Sequence, residues 1–395
     1  MFRAYLDNNA SAPMVPEVLQ AMLPALQGEL GNASSIHQRG QAAKAALESA
    51  RSEVAALIGA RPAEIVFTSG GTESDNLAIR GAVEEWQQRH PGAAPAHLIT
   101  TRIEHHAVLH VFESLERRGH PVTYVPAGPS GVVAPAAVAA ALQPDTALIS
   151  VMMANNETGV LQPVEAVGEL ARAAKVAFHV DAIQAVGRVP VDVQRIGCHL
   201  LSLSGHKIHA PAGVGALYVR RGTRLQPLLL GGHHERDRRA GSENLPGILG
   251  FGAAARLARQ ELDVAAARMA GLRDRFEAGL AAAVADHEVV GRGAPRVANT
   301  SNVCFAGIEG EALVIALDLH GVCASTGAAC SSGAIEPSHV LLAMGYTRAQ
   351  ARACVRFSLG RQTTEADITA VLEVLPGLVE RQRKLSGAGA LARSA

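Results

Sequence analysis

The chain has 395 residues, a length at which a single hydrophobic core has usually stopped growing, so at least two domains are expected. Hydrophobic residues make up 48% of it and charged residues 18%, a composition that excludes a disordered chain. The 36 lysines and arginines balance the 36 aspartates and glutamates, which argues against a protein that binds nucleic acid or a membrane surface through its net charge.

The N-terminal segment lacks the features of a secretion signal. Asp7 places a carboxylate where the apolar region of a signal peptide would begin. No apolar run in the chain reaches the roughly 18 residues that suggest a membrane-spanning helix. The five cysteines include no Cys-x-x-Cys pair, which argues against structural zinc, and they are too few for a disulfide scaffold. We therefore expect a cytoplasmic protein in a reducing compartment.

Short apolar runs alternate with helical patterns through the first half of the chain. The predicted strands cover residues 64–68, 97–101, 147–152, 176–180, 200–204 and 215–219. The predicted helices cover residues 72–89, 107–117 and 164–174. Such alternation implies right-handed crossovers and a mostly parallel sheet with helices on both faces. Because the strands are continuous apolar runs, the sheet is expected to be buried on both sides, as in an α/β fold.

The C-terminal part follows a different pattern. A long helix rich in Ala, Leu and Arg is predicted from residue 250 to about residue 290. After it come strands near residues 301–305 and 355–358, and helices after residue 309, near 337–344 and over 365–383. We expect a large domain over residues 16–255 and a smaller α+β domain over residues 256–384. Residues 1–15 are expected to pack with the small domain, and residues 385–395 to be a disordered tail.

Ligands of open parallel sheets bind beyond the carboxyl ends of the strands, so the residues that follow each strand are the candidates for a site. The first strand is followed by Thr68-Ser69-Gly70-Gly71-Thr72, which opens a helix. Free backbone N–H groups and the helix dipole favour an anion there. The spacing differs from that of a nucleotide P-loop and no lysine follows the glycines. A simple helix cap is the alternative.

Histidines and an asparagine follow the next two strands. His105 and His106 come after the strand at residues 97–101, and His106 shares a helix face with His110. A third metal ligand at matching spacing is missing from the sequence, which disfavours a metal site. His105 could carry protons or stack on a planar ligand, or it could simply begin a helix. Asn156 lies in a polar loop, for which a turn is the alternative.

Two charged residues stand at the ends of buried strands. A carboxylate in that position is costly unless it is paired, so Asp181 needs a cation, either a protonated ring nitrogen or a neighbouring arginine. Lys207 follows Ser204-Gly205-His206. A buried lysine shifts toward its neutral form and becomes a nucleophile, as Schiff-base lysines do, whereas a lysine that reaches solvent is the ordinary alternative.

Cys330 lies in a loop of small residues that runs from about residue 325 to residue 333. Packing cannot hold such a loop, so its thiol is expected to be reachable. By contrast, Cys304 and Cys354 lie in apolar runs and are expected to be buried structural cysteines. A free thiol has a pKa near ~8.5, so a neighbour or the substrate must help to generate the thiolate. A chemically idle exposed thiol is the alternative.

The strand-end residues meet the needs of pyridoxal 5'-phosphate when they are taken as a set. That cofactor requires a lysine to bind its aldehyde, an acid for its ring nitrogen, an anion site for its phosphate and a flat or polar group over its ring. In the same order, these are supplied by Lys207, by Asp181, by the segment from Gly70 to Thr72 and by His105. The combination is more specific than any member of it.

With these motifs the chain resembles the cysteine desulfurases of the NifS/IscS type, which are class V, fold-type I pyridoxal phosphate enzymes. The resemblance runs from Tyr5 to Arg361. Its most specific pieces are residues 68–74, residues 204–207, and the Cys330 loop with the Glu336-Pro337-Ser338 that follows it. It implies a large domain with a mostly parallel seven-stranded sheet and a smaller C-terminal α+β domain.

The resemblance also implies a role for each matching residue. Lys207 would bind the cofactor covalently, Cys330 would receive the sulfur, and His105 would stack on the ring and carry protons. The other cofactor contacts that it implies are Gly71, Thr72, Asn156, Asp181, Gln184, Ser204, His206 and Ser242. Asn156 and Arg356 would orient the substrate, since a guanidinium fork suits a carboxylate. Ser242 would reach the phosphate of the partner subunit, which implies a homodimer.

The implied activity converts L-cysteine to L-alanine and leaves the sulfur on Cys330 as a persulfide. The sulfur would then pass to an acceptor or iron–sulfur scaffold protein. Another class V reaction, that of an aminotransferase or a selenocysteine lyase, is the first alternative. A non-enzymatic binding protein, or a metal protein that uses the histidines, is the second. The sequence departs from the usual pattern at His233 and Asp237, where relatives usually have glycine.

Overall fold

The computed structural model describes residues 4–327 and 336–386. Its strands are β1 (Ala4–Tyr5), β2 (Ile65–Thr68), β3 (His97–Thr101), β4 (Val122–Val125), β5 (Thr146–Met152), β6 (Ala177–Asp181), β7 (Leu200–Ser204), β8 (Gly215–Val219), β9 (His287–Val289), β10 (Thr300–Phe305), β11 (Val322–Cys323) and β12 (Cys354–Ser358). Its α-helices are α1 (Pro16–Leu26), α2 (Gln38–Leu57), α3 (Gly71–Arg89), α4 (His106–Glu116), α5 (Pro135–Ala141), α6 (Val164–Ala174), α7 (Val193–Ile196), α8 (Leu245–Ala283), α9 (Gly310–Leu319), α10 (His339–Ala343), α11 (Arg348–Arg352) and α12 (Glu365–Leu385). Among these helices none is long and apolar enough to span a membrane.

A seven-stranded sheet forms the centre of the larger part of the molecule. Its strand order is β2-β8-β7-β6-β5-β3-β4, and every neighbouring pair is parallel except the two that involve β8. The central strands β5 and β7 are buried at every residue, which is why they read as unbroken apolar runs. The predicted α/β class with a mostly parallel seven-stranded sheet is therefore confirmed.

The C-terminal half of the chain contains a second, smaller sheet. The antiparallel sheet has the order β12-β10-β9, and β1 pairs in parallel with β11 nearby. Its apolar core contains Phe276, Phe305 and Phe357, all fully buried. Helix α8 joins this core to the first, because it places Phe251 in the core of the large sheet and Phe276 in that of the small one.

The long helix begins and ends earlier than the sequence pattern predicted. It starts at Leu245, where the Asn244 side chain accepts a hydrogen bond from the N–H of Gly247 and so caps the first turn. It ends at Ala283, because the chain turns into β9 only a few residues later. The sequence prediction carried the helix through residues 287–289, which the structure places in β9.

The two cysteines of the small sheet are buried, as predicted, and lie opposite each other. Cys304 on β10 and Cys354 on β12 are cross-strand partners, and they are joined as a disulfide. Cys198 and Cys323 are free. The two paired residues are 50 positions apart, and only the register of the antiparallel strands sets them opposite each other. That register could not be read from the sequence, whereas the predicted burial of both cysteines is confirmed.

Candidate active site

A cavity of about 310 Å³ lies at the carboxyl ends of the parallel strands and brings the predicted site residues together. Its walls include the predicted residues Gly71, Thr72, His105, Asn156, Asp181, Gln184, Ser204, His206, Lys207 and Arg356. Ser242 is exposed and lies outside these walls. Cys330 lies outside the described residues. The cavity thus unites side chains from both sheets.

The N-terminus of α3 forms one end of the cavity. Gly70 is the N-cap and supplies no side-chain hydrogen bond, so the first N–H groups of the helix remain for a ligand. At Gly71 an added Cβ would meet Cδ1 of Ile183 at 2.2 Å, so a larger residue here would have to displace the Ile183 side chain. Thr72 and Ser204 add hydroxyl groups beside this helix end. The arrangement suits a phosphate group.

Asp181 ends β6 and is only 4% exposed. Its Oδ1 accepts a hydrogen bond from the N–H of Ile183 at 2.9 Å. Burial raises the pKa of this carboxyl group to about 6, although the Ile183 hydrogen bond and the positive charge of Lys207 act in the opposite direction. Ionisation of this buried carboxyl group is costly, so a cation that enters the cavity would stabilise the carboxylate.

Lys207 follows β7 in a short 3₁₀ helix. Its Nζ donates to the backbone carbonyls of Asn9 at 2.7 Å and Ala10 at 2.8 Å. The neighbouring His206 is held neutral, because burial and the nearby charge of Lys207 lower its pKa to about 4. The amine therefore reaches the cavity and is held there by the N-terminal segment.

His105 is the N-cap of α4, and its Nδ1 accepts a hydrogen bond from the N–H of Ala107 at 3.1 Å. An acceptor at Nδ1 places the proton of the neutral ring on Nε2. Burial, with the positive charge of Lys207 as the next cause, lowers the pKa of His105 to about 4. At neutral pH the ring is therefore uncharged, flat and able to exchange a proton at Nε2.

Arg356 on β12 enters the cavity from the small sheet and is 3% exposed. It donates from Nη1 to the carbonyl of Asn156 at 3.0 Å and from Nη2 to Oδ1 of Asp7 at 2.7 Å. Its Nε and the Oδ1 of Asn156 are buried and have no hydrogen-bond partner among residues 4–327 and 336–386. A donor and an acceptor are thus left for a zwitterionic ligand.

Three polar residues that the sequence analysis did not assign also line or support the cavity. The carbonyl of Asn9 accepts hydrogen bonds from both Gln184 and Lys207. Asp75 on α3 lines the cavity, and burial together with the charge of Asp181 raises its pKa well above the usual range. Glu104 is fully buried beneath it, bound to Thr101 and to the N–H of Met152. Asp75 lies on the buried face of α3, and an acidic residue on that face is the sequence feature that could have identified it.

The loop with the unusual His233 and Asp237 lies away from the cavity. These two side chains are exposed and hydrogen-bond each other at 2.6 Å. Between them, Glu235 and Arg236 adopt left-handed backbone angles, as does Asp237. Glu235 points inward and forms a bidentate ion pair with Arg51, and it also accepts from the N–H of Phe67 on β2. The loop is therefore anchored by a buried ion pair.

Pyridoxal phosphate fits the residues that the cavity presents. Its polar groups are matched by the unpartnered Oδ1 of Asn156, the uncapped start of α3, the buried carboxyl group of Asp181 and the amine of Lys207. Among the described residues, no group of three or more His, Cys, Asp or Glu is placed so that it could hold a metal ion.

Comparison with known proteins agrees with this geometry. The class-V aminotransferase family model matches residues 4–371. A cysteine desulfurase of Trichormus azollae is 49% identical over 382 residues, covering 97% of this chain and 94% of that protein. Cysteine desulfurase IscS of Methanosarcina thermophila is 47% identical over 382 residues, with 97% and 93% covered.

Solved structures give the same result. A NifS-like protein superposes with a TM-score of 0.89 at 35% identity, covering 96% of this chain and 100% of that one. SspA, solved in complex with cysteine, superposes with a TM-score of 0.80 at 34% identity, covering 90% of this chain and 98% of that one. The chain therefore belongs to the class-V aminotransferase family, within its group of NifS/IscS-type cysteine desulfurases.

Proposed function

We propose that the chain is a pyridoxal phosphate-dependent cysteine desulfurase that acts in the cytoplasm. It takes L-cysteine, releases L-alanine, and passes the sulfur through Cys330 to an acceptor for iron–sulfur cluster assembly. The observation that carries the proposal is the meeting of Lys207, Asp181 and the α3 N-terminus with Arg356 in one cavity. The curated relatives are named as cysteine desulfurases, which favours this activity over that of an aminotransferase or selenocysteine lyase.

The cofactor would be held from three sides. Lys207 Nζ would bind its aldehyde carbon, Asp181 would accept a hydrogen bond from its protonated ring nitrogen, and the N–H groups of Gly71 and Thr72 would bind its phosphate. Ser204 and His206 stand beside the same phosphate end of the cavity. When bound, the cofactor supplies an electron sink for the bond that breaks at the substrate α-carbon.

The substrate would be oriented by the small sheet. Arg356 would bind its carboxylate and the amide of Asn156 would add a polar contact beside it. Lys207 Nζ would then take the α-proton, since its amine lines the cavity. His105 would cover the ring and return a proton from Nε2, the atom that carries it at neutral pH.

The sulfur step needs a thiolate, which we assign to Cys330. Its sulfur would form a bond to the substrate sulfur as the carbon–sulfur bond breaks. The electron pair of the broken bond stays with the substrate carbon, which takes up a proton and becomes the methyl group of alanine. No external oxidant is required, because the substrate sulfur is oxidised as the persulfide forms and the substrate carbon is reduced by the electron pair of the broken bond.

We further propose a homodimer in which Ser242 completes the phosphate site of the partner subunit. The support is that Ser242 is exposed on its own chain while the cavity wall lacks a residue from its loop. Two large apolar side chains of the neighbouring segment, Leu229 and Leu230, are exposed at 46% and 84%. A contact with a second copy would cover them.

A visible spectrum and a product assay test the proposed function. The purified protein supplied with pyridoxal phosphate should show a visible absorption band, and Lys207→Ala should abolish it. The wild type should release alanine and sulfide from cysteine in the presence of a thiol. Cys330→Ala should keep the band and lose sulfur transfer. Amino transfer to a keto acid without sulfur release would contradict the proposal.

A further inference from the structure

Arg188 carries a buried positive charge that the reaction described above does not use. It is 5% exposed, and among the described residues no carboxylate forms an ion pair with it. Burial, and next the charge of Arg356, lower the pKa of this arginine to about 10. An unpaired buried cation is costly, so the residue needs a specific reason for its position.

The hydrogen bonds of Arg188 all lead to Gln184. Its Nη1 donates to the backbone carbonyl of Gln184 at 2.8 Å and also to the side-chain Oε1 of the same residue. A guanidinium can only donate, so Oε1 must be the amide atom that faces it. On the other side, the Gln184 Nε2 donates to the carbonyl of Asn9 at 2.9 Å. Both contacts select the same orientation of the amide.

That orientation decides what the cavity meets at Gln184. The amide nitrogen carries two hydrogens, and the Asn9 carbonyl takes one of them. Gln184 also lines the cavity beside Lys207 and Asp181. The second hydrogen of Nε2 is therefore the donor that remains for an oxygen acceptor on a bound ligand. With the amide reversed, the cavity would meet an acceptor and would repel such an oxygen.

We propose that Arg188 is a positioning residue that locks the Gln184 amide with an N–H donor available to the phenolic oxygen of the cofactor ring. The inference rests on the proposed function, because it needs pyridoxal phosphate in the cavity that Gln184 lines. Arg188 also adds a positive charge next to Gln184. The charged or titratable groups around it are Arg356, His206 and His209, and Lys207, Arg361 and Glu261 line the adjoining cavity with it. Glu261 is the acid among them, and it pairs with Arg361.

The pH midpoint of the visible band of the bound cofactor tests this role. The Gln184 donor and the Arg188 charge both oppose protonation at the cofactor, so Arg188→Met should raise the midpoint by about one pH unit. It should also speed cofactor release by about tenfold, the effect of one lost hydrogen bond. Arg361→Met is the matched control, because Arg361 lines the adjoining cavity with Arg188 but pairs with Glu261.

A double-mutant comparison separates positioning from a simple field effect. If Arg188 acts through the amide, Arg188→Met should change the midpoint and the release rate much less in a Gln184→Met background than in the wild type. Equal changes in both backgrounds would overturn the positioning role. So would an Arg188→Met protein whose midpoint and release rate match those of the wild type and of Arg361→Met.

Arg188→Lys covers the case in which Arg188→Met does not fold. Lysine keeps the charge but carries it on a flexible stem as a strongly hydrated ammonium, so the Gln184 amide should be held less firmly, and the midpoint and the release rate should both move in the direction seen for Arg188→Met. Unchanged release would overturn the proposal. A wild-type protein that never binds the cofactor would instead refute the proposed function, whereas a wild type with a normal band and insensitive Arg188 variants refutes this inference alone.

Discussion

Nη2 of Arg356 donates to Oδ1 of Asp7 at 2.7 Å, so the guanidinium assigned to the substrate carboxylate already holds a carboxylate of its own chain. Asp7 comes from the N-terminal segment, directly after β1, and bridges to Ser358 at the end of β12. The Arg356 Nε remains buried and unpartnered within the described part of the chain. An incoming substrate must therefore share the guanidinium with Asp7 or displace it.

Asp7→Asn should lower the KM for cysteine by about threefold to tenfold and leave kcat nearly unchanged. Removing the competing charge strengthens ground-state binding of the carboxylate, which is a uniform binding effect. Initial rates of alanine formation across cysteine concentrations provide the measurement. Arg356→Lys is the matched comparison and should raise KM, because lysine cannot bind a carboxylate in bidentate fashion. A raised KM in Asp7→Asn would mean that Asp7 orients the arginine instead.

Asp181→Asn should keep the fold and lose catalysis. The amide is isosteric and has no ionisation cost in a site that is 4% exposed, so the cofactor-free protein should be no less stable in thermal unfolding. The loss of the negative charge facing the ring nitrogen should reduce alanine formation by about 100-fold or more. Activity close to that of the wild type would show that Asp181 does not serve the ring.

Glu104 should make the cofactor-free protein less stable as pH rises. Burial raises its pKa from 4.5 to about 8, so between these values the folded state binds more protons than the unfolded state. The free energy of unfolding therefore falls as pH rises through this window. Glu104→Gln, which can still accept from Thr101 and Met152, should flatten the curve of Tm against pH. The exposed Glu113→Gln serves as control, and a wild-type curve without this slope would contradict the assignment.

The Arg51–Glu235 pair should be costly to break from one side. Both side chains are at most 4% exposed, and Glu235 also holds the strained loop through Phe67. Glu235→Gln leaves the buried Arg51 guanidinium with the more exposed Glu48 as its ion-pair partner and should lower the free energy of unfolding by about 3 kcal/mol. The double variant Arg51→Met/Glu235→Leu should be less affected than the single one. Chemical denaturation of the wild type and these two variants decides the matter, and a double variant less stable than Glu235→Gln would argue against a coupled pair.

The sequence predicted the elements whose patterns are local. Strands β3, β7 and β8 and helix α6 begin and end at the predicted residues, because each is a continuous apolar run or a clear amphipathic repeat. Strand β4 was not identified, since three of its four residues are partly exposed at the edge of the sheet. Helices α1 and α2 were also missed. The domain boundaries and the roles of the site residues stay predictions.

The candidate site was predicted where the polar residues follow strands, as at Asp181 and Lys207. The sequence could not show what holds them in place. Asn9 contributes a backbone carbonyl, which any residue type carries, and Arg188 looks like an ordinary surface arginine until its burial is known. Likewise, the Cys304–Cys354 pairing depends on strand register between segments that are distant in the chain. Long-range contacts of this kind leave no local pattern.

Helix α8 holds the two halves of the candidate site at a fixed separation. Its 39 residues span about 58 Å at the usual rise, and its two ends are each fixed in a different hydrophobic core. One extra residue in the exposed stretch near Val264 would turn the far end by about 100°, whereas the walls of the cavity contain no residue of this helix. Helix α8 thus sets the distance between Lys207 and Arg356, although it does not line the cavity.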